Sequence, residues 1–331
     1  MREILFDRFG GPDVLTLRTD SPRPTAGPGE VLVEVAYAGL NPLDYKIRDG
    51  SSARAEGLAL PAGTGREMAG TVIGAGPDSA ELDEAELASR GLAPGTRVFG
   101  MRGPGDDRGV VAEVIAIAAD DLAPIPDAVE AEMLPRWAGL ALAGLTAIAT
   151  VRDTARIQEG QSVLVHGGSG GVGQLLIPMV LEAGAARVWA TGRARNAERI
   201  RELGAEPIAY DEADWQREIL AATDGEGVDV VLDTHYFSTF LPSLDVLRPD
   251  GLIVALPTLA DLSPARERGI RAEIPQIVTG RDRLDHLVQG LRSGAYPLEA
   301  SQVLPMERID EAHRLLEDGH TRGKLVIDVR A

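Results

Sequence analysis

The sequence predicts an α/β fold, in which a doubly wound parallel-sheet domain is accompanied by a second, β-rich domain. Three observations predict it. Strand and helix patterns alternate through the middle of the chain, as a parallel sheet with right-handed crossovers requires. A glycine-rich turn joins one of those strands to the helix after it. The first 120 or so residues, by contrast, read mainly as short strands separated by Gly, Pro and Asp turns. A chain of 331 residues is long enough for two cores. The expected division is an all-β part over 1–124, a parallel-sheet domain over 125–280 and a short C-terminal part over 281–331.

Taken in order, the N-terminal strands are expected at Val14–Leu17, Val31–Val35, Ala69–Ile73, Arg97–Gly100 and Val110–Ile115. Asp78–Arg90 is acidic and reads as a solvated insertion with local helical character. After Pro124 and Pro126 the pattern changes. A helix through Ala138–Val151 leads to a strand at Ser162–His166 and then to a helix whose buried face is Val172, Leu175, Leu176, Met179 and Val180. Pro178 should kink that helix. Strand Arg187–Thr191, helix Ala197–Leu203 and strands Val228–Asp233 and Leu252–Leu256 come next. The tail holds a strand-like Ile270–Val278, helices at Arg283–Leu291 and Ile309–Asp318, and a closing strand at Lys324–Val329.

Composition narrows the function. Against 33 Lys and Arg stand 51 Asp and Glu, a net charge of −18, which argues against nucleic-acid and anionic-membrane surfaces. The absence of cysteine excludes disulfides, thiolate metal sites and a cysteine nucleophile. The start, MREILFDRFG, lacks an apolar signal core, and no apolar run approaches the roughly 20 residues of a membrane helix. A soluble, cytoplasmic protein is expected.

The glycine turn admits two chemistries. Gly168-Ser169-Gly170-Gly171-Val172-Gly173 fits G-x-G-x-x-G, a dinucleotide-binding turn, while Gly167–Gly171 fits G-x-S-x-G, a nucleophile elbow. The first motif expects a ribose reader about 20 residues on, at the end of the next strand. That position is Arg193, after Gly192 and close to Arg195. Arginine there suits a 2′-phosphate, through charge-assisted and often bidentate hydrogen bonds, and so points to NADPH. A solvated helix start would also explain these arginines. The elbow needs Ser169, then an acid, then a histidine. Asp233 or Asp250 with His286, His313 or His320 supplies that order, but an acidic chain of this length nearly guarantees some such trio. The elbow leaves Gly173 and Arg193 unexplained, so the dinucleotide turn accounts for more of the sequence. A short-chain dehydrogenase is excluded, since no tyrosine has lysine four residues later.

Eight segments in order carry a family resemblance: Gly29–Val35, Gly39–Lys46, Gly65–Gly70, Ala143–Ala147, Val163–Gly173, Glu202–Ala205, Gly225–Asp233 and Arg322–Val326. Over nearly its whole length the chain resembles the zinc-free quinone oxidoreductases and enoyl reductases of the medium-chain dehydrogenase/reductase superfamily. The resemblance implies a GroES-like β domain built from both chain ends, a Rossmann domain, and NADPH and substrate in the cleft between them. It also implies a homodimer, with Ile270–Val278 as an edge strand. Where zinc relatives carry Gly-His-Glu, this chain has Gly65-Arg66-Glu67. The implied activity is hydride transfer to the β-carbon of a conjugated enone, quinone or enoyl substrate.

By the same resemblance, Asn41, Asp44, Tyr45 and Lys46 fall in a substrate-side loop. Asn41 is expected as a hydrogen-bonding group, Tyr45 as a phenolic donor to the substrate oxygen, and Lys46 as an exposed, electrostatic helper. Plain turn chemistry explains Asn41 and Asp44 equally well. Thr146, Ser169, Gly170, Gly171, Val172, Tyr210, Ala255, Leu256 and Lys324 match positions that approach the cofactor, beside Gly192, Arg193 and Arg195. Many relatives have lysine near Asn196 for the 2′-phosphate, a role left here to Arg193 or Arg195. Thr234-His235-Tyr236-Phe237 replaces a Val-Gly-Gly and is read as loop packing rather than as an acid at the nicotinamide end. His166 reads as a satisfied core histidine. Two other readings stay in play: a serine hydrolase using Ser169, and a non-catalytic NADPH-binding sensor or structural protein.

Overall fold

The computed structural model describes residues 1–76, 82–103, 106, 108–257 and 259–331. Of the expected acidic insertion, Asp78–Glu81 lie outside the described residues. Its remainder contains the short helix Glu84–Ser89, N-capped by Asp83, whose Oδ1 accepts the Glu86 N–H at 2.8 Å. The chain forms two compact units.

The first unit comprises residues 1–142, 278–289 and 299–331. Its early strands are β1 (Glu3–Phe6), β2 (Leu15–Arg18), β3 (Glu30–Leu40), β4 (Ala62–Gly63), β5 (Glu67–Ala75), β6 (Arg97–Met101), β7 (Val114–Ala118) and β8 (Leu122–Pro124). The long strand β3 organises them. One face of β3 alternates buried valines (Val31, Val33, Val35) with more accessible neighbours, the pattern of a half-buried strand. Its N-terminal half pairs with β7 and its full length with β5, both antiparallel. The expected strand Val110–Ile115 begins only at Val114, because the N–H groups of Val110 and Val111 turn aside to the Thr64 carbonyl.

The second unit comprises residues 143–277 and 290–298. Its strands are β9 (Ser162–His166), β10 (Arg187–Gly192), β11 (Glu206–Ala209), β12 (Val228–Asp233), β13 (Leu247–Ala255) and β14 (Arg271–Glu273). All pairs are parallel, and the spatial order is β11-β10-β9-β12-β13-β14. Numbered from β9, this is the 3-2-1-4-5-6 order of a dinucleotide-binding sheet, whose ligands sit beyond the C-terminal strand ends where the order reverses. That reversal lies between β9 and β12. The helix Gly173–Glu182 runs through Pro178 and buries Leu175, Leu176, Met179 and Val180.

Two last strands, β15 (Ala300–Pro305) and β16 (Lys324–Asp328), return to the first unit. β16 pairs antiparallel with β3, placing Leu325 opposite Leu40, and β15 runs parallel to β16. One apolar core therefore joins Val31, Val33 and Met68 to Leu304, Leu325 and Ile327. The first unit extends beyond the expected boundary at 124 because the helix Leu134–Ala138 packs on β3 and β5. No single helix among the described residues is long and apolar enough to cross a membrane.

Candidate active site

In the first unit, the expected loop at 41–46 is a helix, Pro42–Arg48. Pro42 at its first position and Asp44 at its third are helix-start chemistry, which the turn reading of the same residues overlooked. The Asn41 N–H donates to Asp44 Oδ2 at 2.7 Å, half of a capping box. The Asn41 side chain also reaches beyond the helix start. Its Nδ2 donates to Glu67 Oε1 at 2.8 Å and its Oδ1 accepts from Lys324 Nζ at 2.5 Å.

Lys324 is thus the centre of a buried cluster. Its ammonium donates to the Leu40 carbonyl (2.9 Å), Asn41 Oδ1 and Glu67 Oε1 (2.7 Å), which uses all three of its hydrogens. Glu67 Oε2 accepts the Leu142 N–H at 2.8 Å. Gly139 makes room for this arrangement, since a Cβ there would lie 2.9 Å from Lys324 Cγ. Sequence reasoning placed Lys324 by resemblance but did not connect it to Glu67. The one available signal was Glu67 itself, a carboxylate two residues before the expected strand Ala69–Ile73, where burial would require a partner.

Asp44 is 3% exposed, and its Oδ1 has no hydrogen-bond partner. Burial pushes its carboxyl up to about 7, against the opposing pull of the Asn41 N–H, Arg66 and Lys324. Tyr45 is half-buried against the core; burial, then Asp49 and Glu317, raise its phenol and keep it a neutral donor. Lys46 is half-buried rather than exposed as expected, and burial lowers its ammonium.

In the second unit, the glycine turn follows β9 directly. Gly173 tolerates no side chain, because a Cβ would lie 2.2 Å from the Gly167 carbonyl oxygen. Gly170, Gly171 and Val172 are partly exposed, and among the described residues no protein acceptor faces the N–H groups of Gly171 and Val172. Free N–H groups at the start of a helix form an anion cradle. At the end of β10, Gly192 is buried, Arg193 is partly buried with an unpartnered Nε, and Arg195 is exposed. Asn196 is 7% exposed and turns inward, donating from Nδ2 to Ser169 Oγ at 3.0 Å. Tyr210 is exposed beside this group, with its N–H on the Gly192 carbonyl at 3.1 Å.

Ser169 therefore has Asn196, not a histidine, as its side-chain partner, and it lies outside the positive-φ region that non-glycine residues adopt under strain. The elbow reading gains no support. His166 is the satisfied core histidine expected: its ring bonds Thr191 Oγ1 (3.1 Å) and Ser243 Oγ (2.9 Å), and burial lowers it to about 4. At the neighbouring strand ends, Ala255 closes β13 in the core and the half-buried Leu256 donates its N–H to the Asp233 carbonyl at 2.9 Å. Thr146 is partly buried in the helix Ala141–Ile148.

Two family models match the chain: an alcohol dehydrogenase GroES-like domain over residues 27–127 and a zinc-binding dehydrogenase over 203–327. Among solved structures, the quinone oxidoreductase from Coxiella burnetii is 33% identical, with a TM-score of 0.88 covering 100% of this chain and 99% of that one. The chain belongs to the quinone oxidoreductase and enoyl reductase family of the medium-chain dehydrogenase/reductase superfamily. The Escherichia coli quinone oxidoreductase, solved in complex with NADPH, is another family structure: TM-score 0.85, 27% identity, 99% of this chain and 100% of that one. An NADPH-dependent alkenal/one oxidoreductase from Arabidopsis thaliana is 29% identical over 330 residues, 99% of this chain and 79% of its own length.

The residues present do not fit the zinc of the family model's description. The sequence has no cysteine, and no group of three or more metal-ligating side chains occurs among the described residues. The buried carboxylate Glu67 is already neutralised by Lys324.

Proposed function

We propose that this protein is an NADPH-dependent reductase of conjugated acceptors: enones, quinones or enoyl groups. The observation that carries the reading is the glycine turn at the switch point of a 3-2-1-4-5-6 parallel sheet, with a buried, unpartnered Arg193 Nε at the end of the next strand. The residues fit the cofactor. Gly171 and Val172 would hold its pyrophosphate through free N–H groups, and Arg193, assisted by Arg195, Ser169 and Tyr210, would hold the 2′-phosphate. Thr146, Ala255 and Leu256 would line the rest of its path. Bound NADPH supplies a hydride for the β-carbon of a conjugated acceptor.

What the chain itself adds is polarisation and a proton. Tyr45, neutral at physiological pH, would donate to the substrate oxygen as negative charge develops there. Asn41 would orient the substrate while held rigid by Lys324 and Glu67, and Lys46 would add positive potential. Asp44, protonated up to about pH 7, fixes the start of the helix that carries Tyr45.

Fluorescence titration with NADPH and NADH, wild type against Arg193→Ala, tests the reading. Losing one charge-assisted contact should weaken NADPH about 10- to 100-fold and leave NADH nearly unchanged. Tight NADPH binding without oxidation by any enone or quinone would instead favour a non-catalytic sensor. No binding of either nucleotide would overturn the reading.

A further inference from the structure

Thr234–Phe237 leaves the C-terminal end of β12, and packing does not account for all of it. Thr234 Oγ1 donates to the His166 carbonyl at 2.8 Å, immediately before the glycine turn, so the segment stands at the switch point itself. Asp233 shapes the backbone of the segment. Its Oδ1 accepts the N–H groups of His235 (3.0 Å) and Tyr236 (2.8 Å), and Thr239 Oγ1 donates to the same carboxylate at 2.8 Å. Tyr236 is held at φ 73°, a conformation that costs an aromatic residue energy and marks constrained functional segments. Its phenol donates to the Asp261 carbonyl (3.2 Å) and accepts the Asp261 N–H (2.8 Å), which ties the segment to the chain following β13.

Tyr236 packs inward, its ring 5.0 Å from that of Phe240. Phe237 stands edge-on to both preceding rings, 5.7 Å from that of Tyr236 and 6.0 Å from that of His235. At 71% exposure it is the most exposed large hydrophobic side chain among the described residues, and Leu259, after β13, is 61% exposed. A positive-φ, hydrogen-bonded backbone thus presents a phenyl ring to solvent three residues beyond Thr234, which bonds the carbonyl that precedes the glycine turn. Isolated surface phenylalanines are ordinary, but one carried by this much built structure just beyond the C-terminal end of a parallel-sheet strand is not.

We propose that Phe237 is a specificity-determining residue, an aromatic face on which a planar conjugated acceptor, a quinone or an aryl enone, stacks, with Tyr236 as its positioning residue. The inference rests on the reductase reading. Ring stacking favours a flat, electron-poor partner over a small acyclic one of equal reactivity.

The test compares 1,4-naphthoquinone with but-3-en-2-one as acceptors, following NADPH oxidation by wild type, Phe237→Ala and Phe237→Trp, with NADPH dissociation constants and light scattering alongside. Phe237→Ala should raise KM for 1,4-naphthoquinone about threefold to tenfold and leave but-3-en-2-one and the NADPH dissociation constant within about twofold. Phe237→Trp should restore the low KM. Equal changes for both acceptors, or an NADPH constant that shifts as far as the quinone KM, would overturn the proposal. So would a change in particle mass on Phe237→Ala, which would make this face a contact between copies of the chain. If wild type oxidises NADPH with neither acceptor, the reductase reading falls and the role of Phe237 falls with it.

Discussion

Lys324 Nζ lies 2.7 Å from Glu67 Oε1, with the lysine 4% exposed and the glutamate fully buried. An ion pair taken this far from water survives only when its remaining hydrogen-bonding capacity is met. Here Asn41, Leu40 and Leu142 meet it. The pair therefore fixes the end of β3, and with it the start of the helix that carries Tyr45.

Lys324→Met should destabilise the protein by about 3–5 kcal/mol, because it strands the Glu67 carboxylate. Urea unfolding of Lys324→Met, Glu67→Gln and the double variant measures this. The double variant should lose less than the sum of the singles, as coupled partners do. Strict additivity would mean the two side chains do not stabilise one another.

Asp44 gives stability a pH dependence of definite sign. Its folded value, about 7, lies above its ordinary 3.8, so the folded state binds more protons than the unfolded state between those limits. Its contribution is fully present below about pH 4 and is lost as pH rises through 7. His166 acts oppositely: lowered from 6.5 to about 4, it contributes stability above pH 6.5 that is lost as pH falls toward 4. Asp44→Asn should accordingly grow more stable relative to wild type as pH increases from 4 to 7.5. Parallel stability curves for the two proteins would refute the assignment.

Ser169 and Asn196 share one buried hydrogen bond, and this sets the outcome of Ser169→Ala. The variant leaves an amide donor unsatisfied at a cost of about 1–3 kcal/mol. Asn196→Ala should cost a similar amount, and the double variant less than the sum, as thermal unfolding would show. Hydrolysis of p-nitrophenyl esters should stay at background in wild type and variants alike. Serine-dependent turnover would revive the hydrolase reading.

The sequence was most legible where a single stretch carries its own evidence. Ser162–His166 and Val228–Asp233 are strands with the limits expected, because strands buried on both faces read as β-branched, mainly apolar runs. β15 was missed because Ala300–Pro305 buries only Leu304 and shows no alternation of apolar and polar residues. The helix Pro42–Arg48 was missed because seven residues are too few to display a period, and because Asn, Pro and Asp serve turns and caps equally. The Glu67–Lys324 pair joins residues 257 apart, a pairing no local pattern can announce. At 234–237 the expected packing holds for Tyr236, while Phe237 packs edge-on against His235 and Tyr236 and still leaves 71% of itself exposed.

The strand pairing of β16 with β3 also imposes a timetable on biosynthesis. All six strands of the second unit lie between residues 162 and 273, so that unit can complete its sheet while the ribosome is still translating. The first unit is begun earlier and finished after the second. Until Lys324–Asp328 emerges, the outer edge of β3 has no neighbour at Tyr37–Leu40, and Glu67 has no countercharge. A nascent chain stalled before Lys324–Asp328 emerges would carry one finished sheet and one with an open, adhesive edge.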